Sequence, residues 1–315
     1  MDIKNIKTAV IAGAGLMGSS IAQILASRGY EAVLYGTKER QLERSRSLIA
    51  LYRDELIEQG KMSKEQAEAQ PISHTLDKDI FKQADLVIET ITEKLELKQD
   101  FWREASEIVP EDALLTSNTS GLSLTAISRA VKNPRRFIGL HWVNPPHLIP
   151  LVEVIRADST GDETAQAVCD FAVSLDRKPV LVKKDAPGFV LNRIQFAVLR
   201  EAMHIVDSGI ASMEDVDTVL KYGLGMRYAA IGPFETADFG GLDTFYRIAS
   251  YLFPELSDAK TVSPLLSVPA VQGDYGVKTG RGFYDYSDGK GEAATKRRDQ
   301  LFLKLADCLY GSESK

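Results

Sequence analysis

The stretch that decides the fold is KTAVIAGAGLMG at residues 7–18, where an apolar run leads directly into a glycine-rich loop. The apolar part predicts a buried strand, and residues 17–28 predict a helix that ends at Gly29. A second apolar run at residues 32–35 predicts the next strand, so the chain opens as a βαβ unit. In this position a GxGxxG loop lets the backbone approach a pyrophosphate, whose charge the helix N-terminus stabilises. The sequence therefore predicts a dinucleotide site with the loop residues Gly13, Gly15, Leu16, Met17 and Gly18.

The chain beyond this opening divides into a sheet-forming part and a helical part. Further short apolar runs are separated by helical or turn segments, which is typical of a largely parallel sheet. A long helical arm is predicted at about residues 39–70, with a capping box that begins at Ser63. A glycine-rich turn between helices is predicted at residues 223–232. We predict an α/β fold with a Rossmann-type, doubly wound, mostly parallel sheet over residues 1–186, followed by an all-helical C-terminal domain over residues 187–315.

The composition of the 315 residues limits the function classes. A formal net charge of −6 lacks the basic excess that is typical of nucleic-acid binding. No apolar run approaches the roughly 20 residues that span a bilayer, and the start of the chain shows no signal-peptide pattern. We therefore expect a cytoplasmic protein that contacts neither nucleic acid nor membrane. The two cysteines, Cys169 and Cys308, lack ligand spacing, so we expect neither a disulfide nor a bound metal.

The end of the second predicted strand departs from the usual dinucleotide pattern. Gly36 stands where an acidic side chain would normally bind the adenosine ribose. Without that carboxylate a 2′-phosphate is not repelled, and Thr37, Lys38 and Arg40 can donate hydrogen bonds to it. We therefore expect NAD(P) as cofactor, with NADP slightly favoured over NAD. The alternative is that these charges form a solvated helix start and that Glu39 binds the ribose.

A histidine and a carboxylate lie on two successive predicted strands. His141 ends one strand, and Glu153 follows on the next. Oxidation of an alcohol by hydride transfer needs a base for the hydroxyl proton, and imidazole titrates near neutral pH. A carboxylate on its far nitrogen selects the tautomer and stabilises the imidazolium. The pair therefore predicts a catalytic base, whereas a lone histidine at a strand end is more often structural.

These residues resemble the L-3-hydroxyacyl-CoA dehydrogenases over nearly the whole chain. Five motifs occur in order: the glycine loop, SNTS at 117–120, HWVNP at 141–145 with LVEV at 151–154, PGFVLNR at 187–193, and GVKTGRGFY at 276–284. The resemblance implies that His141 is the general base and Glu153 its orienting partner. It also implies that Ser120 and Asn192 bond the substrate oxygen or hold histidine and substrate in register. The alternative for Ser120 and Asn192 is a capping role in a turn or at a helix start.

The same resemblance implies further contacts and an assembly. It places Asn144 beside the nicotinamide and implies that Glu93, Lys98, Asn118 and Lys278 bind the cofactor. The alternative for Glu93 is an exposed charge at a helix start. In the family the helical arm packs over the thioester cofactor, and the C-terminal domain binds substrate and forms a homodimer.

Two segments resemble branches of the family that act on other substrates. GMRYAAIGP at residues 225–233 is similar to the lambda-crystallin and L-gulonate 3-dehydrogenase branch, whose substrates are free hydroxy acids. WVNPPH at residues 142–147 is similar to relatives that oxidise small alcohols without CoA, including a pyridine-carboxylate dehydrogenase. Arg227 fits a partner for a substrate carboxylate or an interdomain salt bridge.

Three functional hypotheses follow from these resemblances. The first is an NAD(P)-dependent dehydrogenase of the EC 1.1.1 class in fatty acid metabolism that interconverts a short-chain 3-hydroxyacyl-CoA and its 3-oxoacyl-CoA. The second is the same chemistry on a small free hydroxy acid or related alcohol. The third is a non-catalytic, crystallin-like protein that only binds the cofactor, and the His141 and Glu153 pair argues against it.

Overall fold

The computed structural model describes residues 3–58, 60 and 62–310. The chain forms two compact units, Met1–Leu191 and Asn192–Lys315, called here the N-terminal and C-terminal units. Within the described residues of the N-terminal unit, the strands are β1 (Thr8–Ala12), β2 (Glu31–Tyr35), β3 (Ile72–Thr75), β4 (Leu86–Glu89), β5 (Leu114–Ser117), β6 (Phe137–Trp142), β7 (Leu151–Ile155) and β8 (Lys178–Val182). The α-helices of this unit are α1 (Leu16–Ser27), α2 (Glu39–Glu58), α3 (Lys64–Ala69), α4 (Leu95–Ile108), α5 (Leu124–Ser128) and α6 (Asp162–Ser174). Short 3-10 helices lie at Ile3–Asn5, Lys78–Gln83 and Pro134–Arg136.

The strands form one sheet whose topology creates a ligand crevice. Their order is β3-β2-β1-β4-β5-β6-β7-β8, and the pairs are parallel apart from the antiparallel pair β6 and β7. The strand order reverses between β1 and β4, so the connections that follow these two strands lead to opposite faces of the sheet. Such a switch point opens a crevice at the carboxyl ends of the two strands. The prediction of a doubly wound, mostly parallel sheet is confirmed.

Apolar side chains of the central strands alternate between two cores. On β1, Ile11 packs into the core that includes Leu25 of α1, whereas Val10 packs into the core that includes Trp102 of α4. This period-two pattern places helices over both faces, because a strand in the middle of a parallel sheet is buried on both sides. The central strands that carry the crevice therefore form a buried layer.

The helical arm, α2 and α3, is attached to the sheet by polar contacts. Ser45 Oγ of α2 lies 2.8 Å from Ser19 Oγ of α1 and 3.1 Å from His74 Nε2 on the edge strand β3. The predicted capping box is present, with reciprocal hydrogen bonds between Ser63 and Gln66 at the start of α3. Burial lowers the pKa of His74, and the nearby Arg46 lowers it further. A neutral imidazole therefore lies at the junction of arm and sheet.

The described residues of the C-terminal unit form helices and connecting segments, with no named strand among them. The helices are α7 (Leu191–Asp207, which begins one residue before the unit), α8 (Met213–Val219), α9 (Gly225–Ala230), α10 (Pro233–Gly240), α11 (Leu242–Leu252), α12 (Pro264–Gln272) and α13 (Lys290–Tyr310). A 3-10 helix lies at Phe253–Glu255, and a π-helix at Leu220–Leu224 joins α8 to α9.

The prediction of a glycine-rich turn at residues 223–232 is wrong for most of that segment, because α9 and the end of the π-helix occupy it. The Gly225 N–H donates to the carbonyl of Leu220, five residues earlier, as in a π-helix. A Cβ on Gly225 would lie 2.6 Å from that same oxygen. The glycine therefore serves the close approach of a wide helical turn and does not break the helix.

The C-terminal unit leaves its large apolar side chains accessible. None of its described apolar side chains is fully buried. Phe234 and Phe239 of α10 are 87% and 82% exposed, and Tyr246 of α11 is 74% exposed. These two helices therefore present large aromatic side chains to solvent. Across the described residues of both units, no helix is long and apolar enough to cross a membrane.

Candidate active site

The predicted phosphate loop lies at the carboxyl end of β1. The Gly13 N–H donates to the carbonyl of Tyr35 on β2 (3.0 Å), and Thr90 Oγ1 donates to the carbonyl of Gly13 (3.0 Å). A Cβ on Gly18 would overlap that Gly13 carbonyl oxygen, whereas a Cβ on Gly15 would meet open space. Gly15 is the N-cap of α1, and no side chain at this position caps the helix N-terminus with a hydrogen bond. Leu16 and Met17 form the first turn there, so their backbone fits a bound pyrophosphate.

This loop borders a cleft of about 560 Å³ at the carboxyl ends of β1, β2 and β4. One wall is apolar and includes Phe81, Leu97 and Phe101. Polar groups line the rest of the cleft, among them Thr37, Gln41, Arg44, Lys78, Thr90 and Glu104. An apolar wall with a few polar groups beside a helix N-terminus fits an adenine nucleotide, and the cleft lies at the switch point of the sheet.

Packing gives a further reason for glycine at position 36, beyond the absence of a carboxylate at the end of β2. A Cβ on Gly36 would lie 2.7 Å from Cδ2 of Leu42, which is buried. The N–H and the hydroxyl of Thr37 both donate to Oε1 of Gln41, at 3.0 and 3.2 Å. The predicted donors Lys38 and Arg40 are exposed and are not among the residues that line the cleft, whereas Arg44, one turn further along α2, does line it. Arg44 is thus a further cation at the cleft, and the roles of Lys38 and Arg40 stay predictions.

The structure brings together the predicted histidine and carboxylate. His141 and Glu153 are direct neighbours across the antiparallel pair β6 and β7, and antiparallel neighbours point to the same face. Nδ1 of His141 lies 2.8 Å from Oε2 of Glu153, and both side chains are buried. A carboxylate acceptor on Nδ1 selects the tautomer that carries its proton there, so Nε2 has the lone pair that accepts a proton. Phe189 packs beside the imidazole, with ring centroids 5.8 Å apart.

The second oxygen of Glu153 is held by backbone groups. Oε1 accepts hydrogen bonds from the N–H groups of Val190 and Leu191, both at 2.9 Å. Burial by itself raises the pKa of Glu153, but the hydrogen bonds from His141 and from these two amides outweigh it, so the pKa lies below its ordinary value. Glu153 is therefore ionised at neutral pH, and its negative charge lies beside the imidazole of His141.

The loop after β5 carries the predicted residues Asn118 and Ser120. Oδ1 of Asn118 accepts the N–H of Trp142, the residue next to His141, at 2.8 Å. The amide of Asn118 is thus engaged in holding the end of β6. Ser120 is exposed, and its N–H donates to Oε1 of Glu93 at 2.8 Å.

The predicted cofactor residue Lys98 lies below the surface. Its side chain is 1% exposed, with Nζ 2.5 Å from Oε1 of Glu89 and 3.3 Å from Oε2 of Glu93. Its ammonium is thus engaged by two carboxylates, and the contact of Lys98 with the cofactor stays a prediction. Glu93 is 43% exposed. Burial raises the pKa of Glu93, but the hydrogen bonds from Thr119 and Ser120 and the charge of Lys98 lower it below its ordinary value.

Residues of the loop between β6 and β7 lie near the arm. Asn144 is exposed, and its peptide bond to Pro145 is cis. His147 Nδ1 lies 3.2 Å from Ser20 Oγ of α1, and its ring packs against Tyr52 of α2 with centroids 5.0 Å apart. This loop is therefore joined both to the helix that follows the phosphate loop and to the arm.

Three predicted residues belong to the C-terminal unit. Asn192 is partly exposed in the first turn of α7, and Arg227 is exposed on α9. Lys278 is exposed in the irregular segment before α13, which is held by bridges between Gly276 and Arg281 and between Arg281 and Asp285. Their roles in the site stay predictions.

Sequence reasoning missed Glu89, Gln41 and Arg44. Glu89 is fully buried as the last residue of β4 and accepts hydrogen bonds from Lys98, Ser117 and the N–H of Ile91. A carboxylate that ends an apolar strand at the switch point is the signal that could have found it. Gln41 and Arg44 carry no comparable pattern. Within the described residues, no group of three or more His, Cys, Asp or Glu side chains is arranged to hold a metal ion.

Comparison with known proteins agrees with this geometry. The 3-hydroxyacyl-CoA dehydrogenase NAD binding domain matches residues 7–186, and the C-terminal domain of the same enzyme matches residues 188–286. A probable 3-hydroxybutyryl-CoA dehydrogenase of Deinococcus radiodurans is 40% identical over 88% of this chain and 99% of its own. The 5-formyl-3-hydroxy-2-methylpyridine 4-carboxylate 5-dehydrogenase of Mesorhizobium japonicum is 34% identical over 98% of this chain and 100% of its own.

A crystal structure of a 5-formyl-3-hydroxy-2-methylpyridine 4-carboxylic acid 5-dehydrogenase, described as an NAD+ dependent dismutase, is also similar. It superimposes with a TM-score of 0.90 at 34% identity, over 97% of this chain and 99% of that one. The two matched domains account for most of the chain, and the relatives are dehydrogenases. The chain therefore belongs to the 3-hydroxyacyl-CoA dehydrogenase family and is an oxidoreductase of the EC 1.1.1 class with a Rossmann-type NAD-binding domain.

Proposed function

We propose that this enzyme interconverts an alcohol and a carbonyl compound with His141 as general acid and base. The observation that carries the proposal is the buried hydrogen bond of 2.8 Å between His141 Nδ1 and Glu153 Oε2. In the oxidative direction, Nε2 of His141 takes the hydroxyl proton as the carbonyl forms. NAD(P), when bound, supplies the acceptor for the hydride that leaves the carbinol carbon. Glu153 stays ionised throughout and offsets the charge that His141 gains.

Two neutral side chains are proposed to bind the reacting oxygen. The Ser120 hydroxyl and the Asn192 amide are donors, and the substrate oxygen gains negative character when the carbonyl is reduced. This role for Ser120 is supported by its place on a loop that also bonds the end of β6, where His141 lies. For Asn192 the support is the family motif at residues 187–193.

The proposed cofactor residues are those around the cleft and the site. Backbone groups of Gly13, Gly15, Leu16, Met17 and Gly18 bind the pyrophosphate, and Glu93, Asn118, Asn144 and Lys278 contact the cofactor. NADP stays the favoured form in this proposal, since the end of β2 offers no carboxylate and Arg44 lines the cleft. Glu39, the alternative ribose ligand, is ion-paired with Arg46 at 2.8 Å. Steady-state kinetics with both cofactors test this, and a strong preference for NAD would contradict it.

The substrate is proposed to be a small hydroxylated carboxylate that is not attached to coenzyme A. The similarity to the pyridine carboxylate dehydrogenase extends over 98% of the chain, against 88% for the 3-hydroxybutyryl-CoA relative. The exposed guanidinium of Arg227 fits a substrate carboxylate. A short-chain 3-hydroxyacyl-CoA is the second candidate, favoured by the 40% identity to the CoA-dependent relative.

A turnover panel decides between the two substrate classes. We would compare free 3-hydroxybutyrate, gulonate, carnitine and a hydroxymethyl pyridine carboxylate with 3-hydroxybutyryl-CoA, each with NAD and NADP. Turnover of the CoA ester alone would overturn the first choice. His141→Ala is the control, because full activity of that variant would remove the catalytic assignment of His141. Absence of turnover with every substrate of the panel would instead favour a protein that only binds the cofactor.

The C-terminal unit is proposed to form a homodimer. The exposed aromatic side chains of α10 and α11 are the support, because a stable monomer rarely exposes a large contiguous apolar patch. Light scattering at micromolar concentration tests this, and a monomer there would contradict it. Phe234→Asp, at a side chain 87% exposed, is expected to weaken the dimer without disturbing a packed core.

A further inference from the structure

Glu93 accepts hydrogen bonds from the turn that carries Ser120. Its Oε1 accepts the hydroxyl of Thr119 at 2.6 Å, the N–H of Ser120 at 2.8 Å and the N–H of Gly121 at 3.3 Å. Thr119 is fully buried, and its hydroxyl oxygen also accepts the N–H of Leu122 at 3.0 Å. Donors from three consecutive residues thus converge on one carboxylate oxygen. Such convergence fixes the path of the turn more firmly than a single bond would.

The other carboxylate oxygen of Glu93, Oε2, is ion-paired with Lys98. Lys98 Nζ lies 3.3 Å from Oε2, and the lysine is locked in turn by Glu89 Oε1 at 2.5 Å. Glu89 is fully buried and accepts the Ser117 hydroxyl at 2.6 Å, while its carbonyl accepts the N–H of Asn118 at 2.8 Å. The start of the same loop is therefore anchored by Glu89, and its tip by Glu93, with Lys98 between the two carboxylates.

The loop has one further anchor, which leads to the catalytic base. Oδ1 of Asn118 accepts the N–H of Trp142, the residue that follows His141 on β6. The segment from Asn118 to Gly121 is thus attached to the strand of His141 at one end and to Glu93 at the other. The distance between the Ser120 hydroxyl and the imidazole depends on both attachments.

We infer that Glu93 is a positioning residue, which holds the Ser120 hydroxyl in register with His141 through the Thr119–Gly121 backbone. The inference rests on the proposed role of Ser120 at the substrate oxygen. It adds a role that a cofactor contact alone does not include, because the three donors to Oε1 come from the substrate-binding turn. Lys98 and Glu89 take part by fixing the Glu93 carboxylate. A misplacement of about 1 Å at such a group costs about 100-fold in rate.

A double-mutant cycle between Glu93 and Ser120 tests the inference. We would measure kcat at saturating cofactor, substrate KM, and the Kd of the reduced cofactor by fluorescence for E93A, S120A and the double variant. We expect E93A to lower kcat about 10- to 100-fold with substrate KM changed less than about threefold. In the S120A background the same substitution is expected to lower kcat less than about twofold. E93Q keeps an oxygen acceptor for Thr119 and Ser120, so it should restore kcat to within about threefold of the unmodified enzyme.

Two controls separate positioning from other effects. E96A removes a carboxylate from an exposed position in the first turn of α4, the helix that follows Glu93, and it is expected to leave kcat unchanged. Thermal unfolding of every variant shows whether the fold is retained, and E93Q provides the test if E93A does not fold.

The possible results have distinct meanings. If S120A leaves kcat unchanged, the proposed role of Ser120 fails, and the positioning role fails with it. If S120A is impaired but E93A lowers kcat by the same factor in both backgrounds, only the inference about Glu93 is overturned. It is also overturned if E93A raises the cofactor Kd without lowering kcat at saturation, or if E96A matches E93A.

Discussion

Replacing Glu153 by glutamine tests the chemistry of the catalytic pair most directly. Nδ1 of His141 and Oε2 of Glu153 are 2.8 Å apart and buried. A proton taken up at Nε2 therefore places a positive charge on the imidazole, close to the negative charge of Glu153. At an effective dielectric constant of about 20, unit charges at this separation attract by about 6 kcal/mol. Glutamine carries no charge, and with its single oxygen on the amides of Val190 and Leu191 its NH2 group faces Nδ1 of His141. A loss of about half of this attraction, about 3 kcal/mol, already corresponds to about 100-fold in kcat.

The E153Q variant is expected to fold. Its side-chain oxygen can still accept the N–H groups of Val190 and Leu191, which bond Oε1 in the unmodified protein. The assay follows absorbance of the reduced nicotinamide at saturating substrate and cofactor, and urea unfolding checks stability. Glu163→Gln, at an exposed position in the first turn of α6, is the matched control for loss of one carboxylate. A kcat for E153Q within about threefold of the unmodified enzyme would refute the proposal that Glu153 stabilises charge on His141.

Three further predictions concern stability. Lys98→Met leaves the buried carboxylate of Glu89 without its ammonium partner and is expected to lower the free energy of unfolding by about 3–5 kcal/mol in urea titrations. The double variant E89Q/K98M removes both charges and should lose less, whereas an equal or larger loss would contradict the ion-pair explanation. Gly36→Ala places a Cβ 2.7 Å from Leu42 and should lower the free energy of unfolding by about 1–3 kcal/mol. L42A should relieve this loss, and an unchanged Tm of G36A in thermal unfolding would refute the packing argument. The pKa values of Glu153 and Glu93 lie below the ordinary value of 4.5, so their contribution to stability is complete above about pH 4.5 and is lost as the pH falls through the folded-state values. E153Q should therefore flatten the acid side of a plot of unfolding midpoint against pH, and an unchanged slope would contradict the lowered pKa of Glu153.

Local sequence patterns predicted the Rossmann opening because they report local physics. The apolar run at residues 7–12 and the steric demand of GxGxxG involve neighbours along the chain, so the structure shows β1, the loop and α1 close to the predicted bounds. The proximity of His141 to Glu153 could be predicted from the sequence for a similar reason. Two successive strands joined by a short connection pair with each other, and the register then places the two side chains face to face.

Residue type in isolation did not reveal the surroundings of Lys98 and Gly225. Lys98 matched a family position, but its burial depends on Glu89 and Glu93, which lie nine and five residues before it and meet it only through the packing of α4 against β4. Gly225 suggested a turn, yet a close carbonyl five residues earlier makes glycine suitable for a π-helix. In both cases the deciding contact is absent from any local pattern.

The sequence alone determined the fold class, the family and the chemical type of the reacting pair, because periodicity and motif spacing encode strands, turns and reactive groups directly. The tertiary structure decided which charged side chains line the cleft and which are buried in ion pairs. It showed that Arg44 lines the cleft beside the phosphate loop, and that Lys98 is buried. The physical reason is that exposure and ion pairing depend on groups brought together from separate strands and helices, whereas a residue's charge in the sequence is the same whether it is buried or solvated.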